Sequence, residues 1–247
     1  MKALVFNIRL NSLYSIRIPF TWQSALAYPV LPPSAVIGML ANALQRYKND
    51  KYPLKYLELV EEEVLWAGSK LLTSCIVKSY TNSAVVKWGD TLGGKFTNAL
   101  GREFAYTKKL GVAAIFKGRE PFLIDEIMNA LKTTPLTCGD SESSVSIEEA
   151  EIKSVKETDL DEIRTEFPVP FTKETLIKEG SGNLYMFHER CREEAKNFPL
   201  RAYLLPLREA GKVYHPYYIV LKKPKNAVVF DIESVGYVCH LPRNILQ

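Results

Sequence analysis

Between Lys78 and Lys109, cationic side chains (Lys78, Lys87, Lys95, Arg102, Lys108, Lys109) are interleaved with flat aromatic ones (Tyr80, Trp88, Phe96, Phe104, Tyr106). This mixture suits a flexible polyanion that carries planar groups. Bases stack on the rings for about 1–3 kcal/mol each while the cations follow the phosphates. Single-stranded RNA fits that chemistry best, with Lys78, Lys87, Trp88, Lys95, Phe96, Arg102, Lys108 and Lys109 as contacts. Packing of Trp88 and Phe96 inside a ribbon accounts for those rings equally well.

A second candidate is "LPPSAVIGMLANAL", Leu31 to Leu44. Ser34 reads as the N-cap of a helix reaching about Tyr47, and its hydroxyl and the first-turn amides favour an anion such as a phosphate. Arg46, a cation on the same helix, completes the set of candidate RNA contacts. Gly38 costs about 1 kcal/mol relative to Ala inside a helix. Close helix–sheet packing is the preferred account of it, ahead of close approach by a ligand.

Catalytic chemistry is poorly supplied. Metal-free RNA cleavage needs a general base that titrates near neutrality, most often His. The three histidines, His188, His215 and His240, all lie in the C-terminal third, away from the basic stretch in sequence. No HExxH, GxSxG, Walker or GxGxxG pattern occurs, and acidic residues in the basic half are too few for a two-metal cluster. Cys75, Cys138, Cys191 and Cys239 form no CxxC pair and stand at no ligand spacing from the histidines. They read as small buried hydrophobes in a reducing compartment. No catalytic residue, metal site, disulfide or cofactor is expected.

The elements that would position these residues follow from periodicity. Lys2 to Leu10 and Leu13 to Phe20 alternate as half-buried strands. Helical spacing follows from Ser34 to about Tyr47 and from Tyr56 to Trp66. Leu71 to Tyr80 and Val112 to Phe116 read as strands, joined by the basic stretch Thr81 to Gly111, which is too long for a tight turn and should form a protruding β-ribbon or loop. Phe122 to Leu131 is helical, and Val145 to Val155 is a strand with edge character. The order is β-α-β-β-α-β, an α+β, ferredoxin-like (RRM-like) arrangement with two helices on one face of an antiparallel sheet. Strand-like runs at Leu184 to Phe187, Arg201 to Leu205, Tyr214 to Leu221 and Val228 to Ile232 suggest a small antiparallel appendix. The expected division is 1–156 for the ferredoxin-like domain and 157–247 for a β-rich C-terminal region.

Composition narrows the class. A chain of 247 residues, 47% hydrophobic, can bury a substantial core. Its longest apolar runs, Ala3 to Phe6 and Val112 to Phe116, fall far short of the roughly 18 residues of a membrane span, and no signal-peptide pattern opens the chain. A cytoplasmic protein is expected. The net charge of +4 hides an asymmetry: 16 Lys+Arg against 7 Asp+Glu up to Arg119, then 16 against 21. Lys70 to Arg119 holds nine basic and two acidic residues, and Asp140 to Glu166 three basic and ten acidic. The first stretch can supply a phosphate-binding face; that both are merely solvated surfaces remains open.

The sequence resembles the fifth CRISPR-associated subunit of type I effector complexes, of the RAMP superfamily, closest to the archaeal type I-A branch. The strand Lys2 to Leu10 followed by "PVLPPSAVIGMLANAL" is similar to that family's proline-serine-glycine signature. "GREFAYTKKLGVAAIF", Gly101 to Phe116, matches its Arg-Glu and third-strand segment. "TTPLTCGDSESSVSI", Thr133 to Ile147, matches its turn after the second helix. The resemblance covers about residues 1–155. It implies a ferredoxin-like body with a β-hairpin thumb at 81–111, which caps the 5′ handle of the crRNA. The partners implied are the backbone and large subunits of Cascade, with target DNA met only indirectly and no membrane. One branch, type I-C, cuts pre-crRNA with Tyr, Lys and His. Tyr47 and Lys108 or Lys109 lie near the corresponding places, but no His follows Lys109. The expectation is a non-catalytic crRNA-binding subunit; the alternatives are a metal-independent endoribonuclease and an RNA-free assembly protein, and the C-terminal Tyr214, Tyr217 and Tyr218 are candidates for a partner-facing surface.

Overall fold

The computed structural model describes residues 1–21, 24–88, 95–139, 143–191 and 200–242, leaving aside the side chains of 24, 82–88 and 95–100. The first strand, β1 (Lys2–Leu10), buries Leu4, Phe6, Ile8 and Leu10 as its alternation requires. After β2 (Ser24–Ala25) comes α1 (Pro33–Lys48). Its N-cap is Pro32 and no side chain caps it, so Ser34 sits inside the first turn instead of at the cap. Pro33 takes the first helical position because its φ is preset and its missing N–H would go unused there. At the other end Asn49 adopts the left-handed conformation and donates its N–H to the Gln45 carbonyl.

The second strand is not where periodicity put it. Helix α2 (Pro53–Glu63) stops before Trp66, and β3 (Val64–Leu71) takes the place expected for Leu71 to Tyr80. Val60 and Val64 have helical spacing, but Val64, Leu65 and Trp66 are β-branched or bulky and find a strand partner, with Val64 opposite Phe116 and Trp66 opposite Ile115. The chain continues through β4 (Cys75–Trp88), β5 (Lys95–Thr107), β6 (Lys109–Phe116), α3 (Leu123–Thr133), β7 (Leu136–Thr137) and β8 (Ser144–Thr158).

The four long strands of the first sheet lie in the order β8-β1-β6-β3, each antiparallel to its neighbour. On one face, Leu4, Phe6 and Ile8 meet Val36, Leu40 and Leu44 of α1 and Ile127 and Leu131 of α3. Each such burial contributes about 1.5–3 kcal/mol. The opposite face holds a smaller cluster around Trp66, Ile115, Phe167 and Phe230. Ser69, fully buried, donates to the Leu31 carbonyl and accepts from the Leu31 N–H, tying β3 to the approach to α1.

The rest of the chain is β9 (Glu162–Thr165), β10 (Val169–Pro170), β11 (Leu176–Gly180), β12 (Gly182–His188), β13 (Leu200–Ala210), β14 (Val213–Pro216), β15 (Ile219–Lys222), β16 (Val228–Ile232) and β17 (Gly236–His240). These strands enter three sheets. β16 and β17 extend the first sheet beyond β8, β13 and β14 join β4 and β5 in a second, and β11, β15 and β9 make a third. The run expected at Tyr214 to Leu221 is broken at Tyr217-Tyr218, where the chain passes from the second sheet to the third.

In the third sheet, Gly180 has φ +91, and a Cβ on it would stand 2.1 Å from the Tyr218 carbonyl oxygen. Gly180→Ala is expected to cost about 2 kcal/mol or more, since both the backbone conformation and a neighbouring main chain oppose it. Urea denaturation checks this; an unchanged midpoint would contradict the β11–β15 pairing.

Cys75, Cys138 and Cys239 are buried and Cys191 is half-buried. Burial pushes the Cys75 thiol up to about 11 and that of Cys239 to about 12. Both behave as apolar side chains at neutral pH.

Candidate nucleic-acid interface

Strands β4 and β5 form a two-stranded antiparallel ribbon running from the pair Cys75 and Thr107 to the pair Trp88 and Lys95. Directly opposed residues of an antiparallel pair share a face. Cys75 with Thr107 and Val77 with Ala105 therefore point one way, and Ile76 with Tyr106, Lys78 with Phe104 and Tyr80 with Arg102 point the other. The first set is buried on the main core together with Tyr14. Tyr14 exchanges both backbone hydrogen bonds with Ala105 and donates its hydroxyl to the Pro29 carbonyl at 2.6 Å. The second set faces outward, with Ile76, Tyr80 and Tyr106 between 42% and 47% exposed.

The outward face is organised by its own contacts. Tyr80 and Phe104 meet edge to face at 5.8 Å, and the Arg102 guanidinium lies 4.7 Å from the Phe104 ring centre. Arg102 Nε also donates to Ser15 Oγ at 3.1 Å.

β14 widens this face. Val213 lies opposite Ile76, and Arg208 of β13 lies opposite His215 of β14. His215 Nδ1 and Ser74 Oγ share a hydrogen bond of 2.8 Å. By register, four strands thus present Arg208, His215, Lys78 and Arg102 among Tyr80, Phe104 and Tyr106. Among the described residues, no Asp or Glu occupies a register position on this face.

Three cations of the first sheet, Lys109, Arg9 and Lys70, are already compensated. Lys109 Nζ is 2.7 Å from Glu148, Arg9 is 3.7 Å from the same carboxylate, and Lys70 is 2.6 Å from Glu166. The hydrogen bond to Glu148 raises the Lys109 pKa, and the same bond lowers that of Glu148. A polyanion gains least where a cation already has a carboxylate partner, so Lys109, Arg9 and Lys70 are the weaker candidates for phosphate contact.

The candidate residues therefore separate. Lys78 and Arg102 share the outward face of the second sheet. Lys108 is exposed where the ribbon ends, its N–H on Thr73 Oγ1. Lys109 belongs to the first sheet. Ser34 and Arg46 line a groove beside α1, with Arg46 Nη1 donating to the Pro135 carbonyl at 2.7 Å. In the ribbon backbone Lys87 opposes Phe96 and Trp88 opposes Lys95, and the side chains of all four lie outside the described residues.

His215 and Arg208 escaped the reading of the sequence, which set the histidines apart from the basic stretch. Distance along the chain misleads there, because β14 pairs with β4. The only local signal is Gly211, whose φ of +64 makes the tight turn between β13 and β14. Tyr217 and Tyr218 stack on each other at 5.0 Å, and Arg164 lies 3.9 Å from the Tyr218 ring centre. The more exposed apolar side chains of that region are Leu176, Ile177, Leu184 and Met186.

These features define a mixed α/β protein of mostly antiparallel sheets, one of which offers a face where cationic and aromatic side chains stand together. The family described as CRISPR-associated protein (Cas_Cas5) matches residues 5–204, and the chain belongs to that family. A CRISPR protein from Archaeoglobus fulgidus has a similar fold over 98% of this chain and 100% of its own, at 14% identity and a TM-score of 0.62. Weaker likenesses are to a chain of a type III-B Cmr-beta assembly bound to cognate target RNA and AMPPnP (9% identity, 90% and 86% covered, TM-score 0.49) and to one of a CRISPR RNA-guided surveillance complex (14%, 94% and 91%, 0.39). No curated protein sequence matches the chain. No helix among the described residues is long and apolar enough to cross a membrane.

Proposed function

We propose that this chain is a non-catalytic crRNA-binding subunit of a type I CRISPR Cascade complex, of the archaeal type I-A kind. It caps the 5′ handle and contacts the backbone and large subunits. The observation that carries this reading is the outward face of the second sheet, where cations and rings stand together and, among the described residues, no Asp or Glu shares the register. Family membership supports the CRISPR setting. In the same reading β8-β1-β6-β3 with α1 and α3 on one face is the ferredoxin-like body, and the ribbon Cys75–Thr107 is its thumb.

One observation favours a second reading, a metal-independent endoribonuclease: His215 places an imidazole on the cationic face, between Arg208 of β13 and strand β4. Cleavage needs a base for the 2′-hydroxyl proton and an acid for the leaving oxygen, each contributing about 10²- to 10⁴-fold. Lys109 is a poor base, because its bond to Glu148 raises its pKa and keeps it protonated at neutral pH. Incubation of the purified chain with labelled repeat RNA in EDTA is expected to give bound, uncut RNA. A product ending in a 2′,3′-cyclic phosphate, lost in His215→Ala, Tyr47→Phe or Lys109→Ala, would replace the scaffold reading with the enzyme one.

A further inference from the structure

Ser34, Gly38, Asn42 and Arg46 recur at every fourth position of α1 and line one side of a groove of about 530 Å³, with Ile16 and His188 across from them. That volume is within the roughly 300–1,000 Å³ typical of small-ligand sites. Gly38 is part of its lining. Among the described residues, a Cβ there would meet only Cys191 Sγ, at 3.9 Å, so packing against them does not require this glycine. A glycine costs about 1 kcal/mol in a helix interior, and at this position its effect is to leave the groove open.

A second feature adjoins it. Phe20, 88% exposed, is held at φ +59, a conformation that costs a bulky residue about 1–2 kcal/mol. It borders a concavity with Arg17, Thr21 and His188, and His188 also lines the α1 groove. Arg17 Nη2 donates to the Thr21 carbonyl at 2.8 Å, which sets the guanidinium beside this turn. The groove adjoins the ribbon through the chain itself, since Arg102 bonds the buried Ser15 Oγ and the next residue, Ile16, lines the groove.

We infer that the groove beside α1 takes one extruded nucleotide of a single-stranded RNA lying on the second sheet, while an adjacent base stacks on Phe20. Arg46 uses one N–H on Pro135 and directs others of its five to the phosphate. Asn42, exposed on the groove side, offers both a donor and an acceptor to a base edge. This rests on the RNA-binding reading and adds base discrimination to it: a stacking face tolerates any base, whereas a groove with a fixed amide does not.

The test measures affinities of the full chain for short homopolymeric RNAs of A, C and U over a salt series. The wild type is expected to prefer one base by about tenfold or more. Gly38→Leu, which fills the groove, should reduce that preference to about twofold and leave the salt slope intact. Phe20→Ala, at a solvent-exposed ring, should weaken binding by about 5- to 150-fold. If Gly38→Leu does not fold, Asn42→Leu on the exposed side of the helix carries the same expectation. RNA binding with the salt slope of the sheet face, but with no base preference and no response to either substitution, overturns the groove alone. Absence of RNA binding by the wild type overturns the RNA-binding reading with it.

Discussion

Reversing Lys78, Arg102 and Lys108 together to Glu is expected to weaken binding of single-stranded RNA by at least about 100-fold at 0.1 M salt. On single strands each neutralised phosphate contributes about 0.7 to the slope of log affinity against log salt, so three lost contacts flatten it by about two. The control is the pair Arg9→Glu and Lys70→Glu on the first sheet. Those cations already face Glu148 and Glu166 at 3.7 and 2.6 Å, so reversing them should leave the slope unchanged. Equal flattening by both sets would mean that RNA is attracted by net charge alone and that the second sheet is no site.

The rings predict a different signature. Tyr80→Ala, Phe104→Ala and Tyr106→Ala should each lower affinity by about 5- to 150-fold, the equivalent of one lost base stack. The salt slope should hold, because a ring neutralises no phosphate. Substitution by Leu separates stacking from burial: it keeps apolar area and removes the π face, so binding should stay low. Recovery with Leu would show that the rings only pack the sheet surface. Phe104 is the most informative, since it also holds Arg102 at 4.7 Å and its loss should carry part of the charge effect with it.

Elements whose partners are close in sequence were readable from period and composition. β1, α1, α3 and β8 lie within a few residues of their expected places because one buried face fixes the period of each. The error at Val64 arose where one apolar pair satisfies both periods and only the partner strand, β6, decides between them. β9, β11 and β17 were not anticipated. Five residues or fewer carry too little pattern, and the exposed β11 carries no burial signal at all.

For the candidate site, the sequence by itself determined the chemistry, namely which stretch is rich in cations and rings, while the register of β4 on β5 decided that Lys78, Tyr80, Arg102, Phe104 and Tyr106 share a side. Only the tertiary structure decided which cations of the stretch face a carboxylate of the first sheet. Lys108 and Lys109 are chain neighbours of the same type, yet Lys109 is held by Glu148 and Lys108 lies exposed at the end of the ribbon. The tertiary structure also decided that β14 lies beside β4, bringing His215 to Ser74. The physical reason is the same in both cases. A strand's side-chain period is local and is written in its own residues, whereas its neighbour, and therefore the charge across from it, is chosen by burial of the whole sheet.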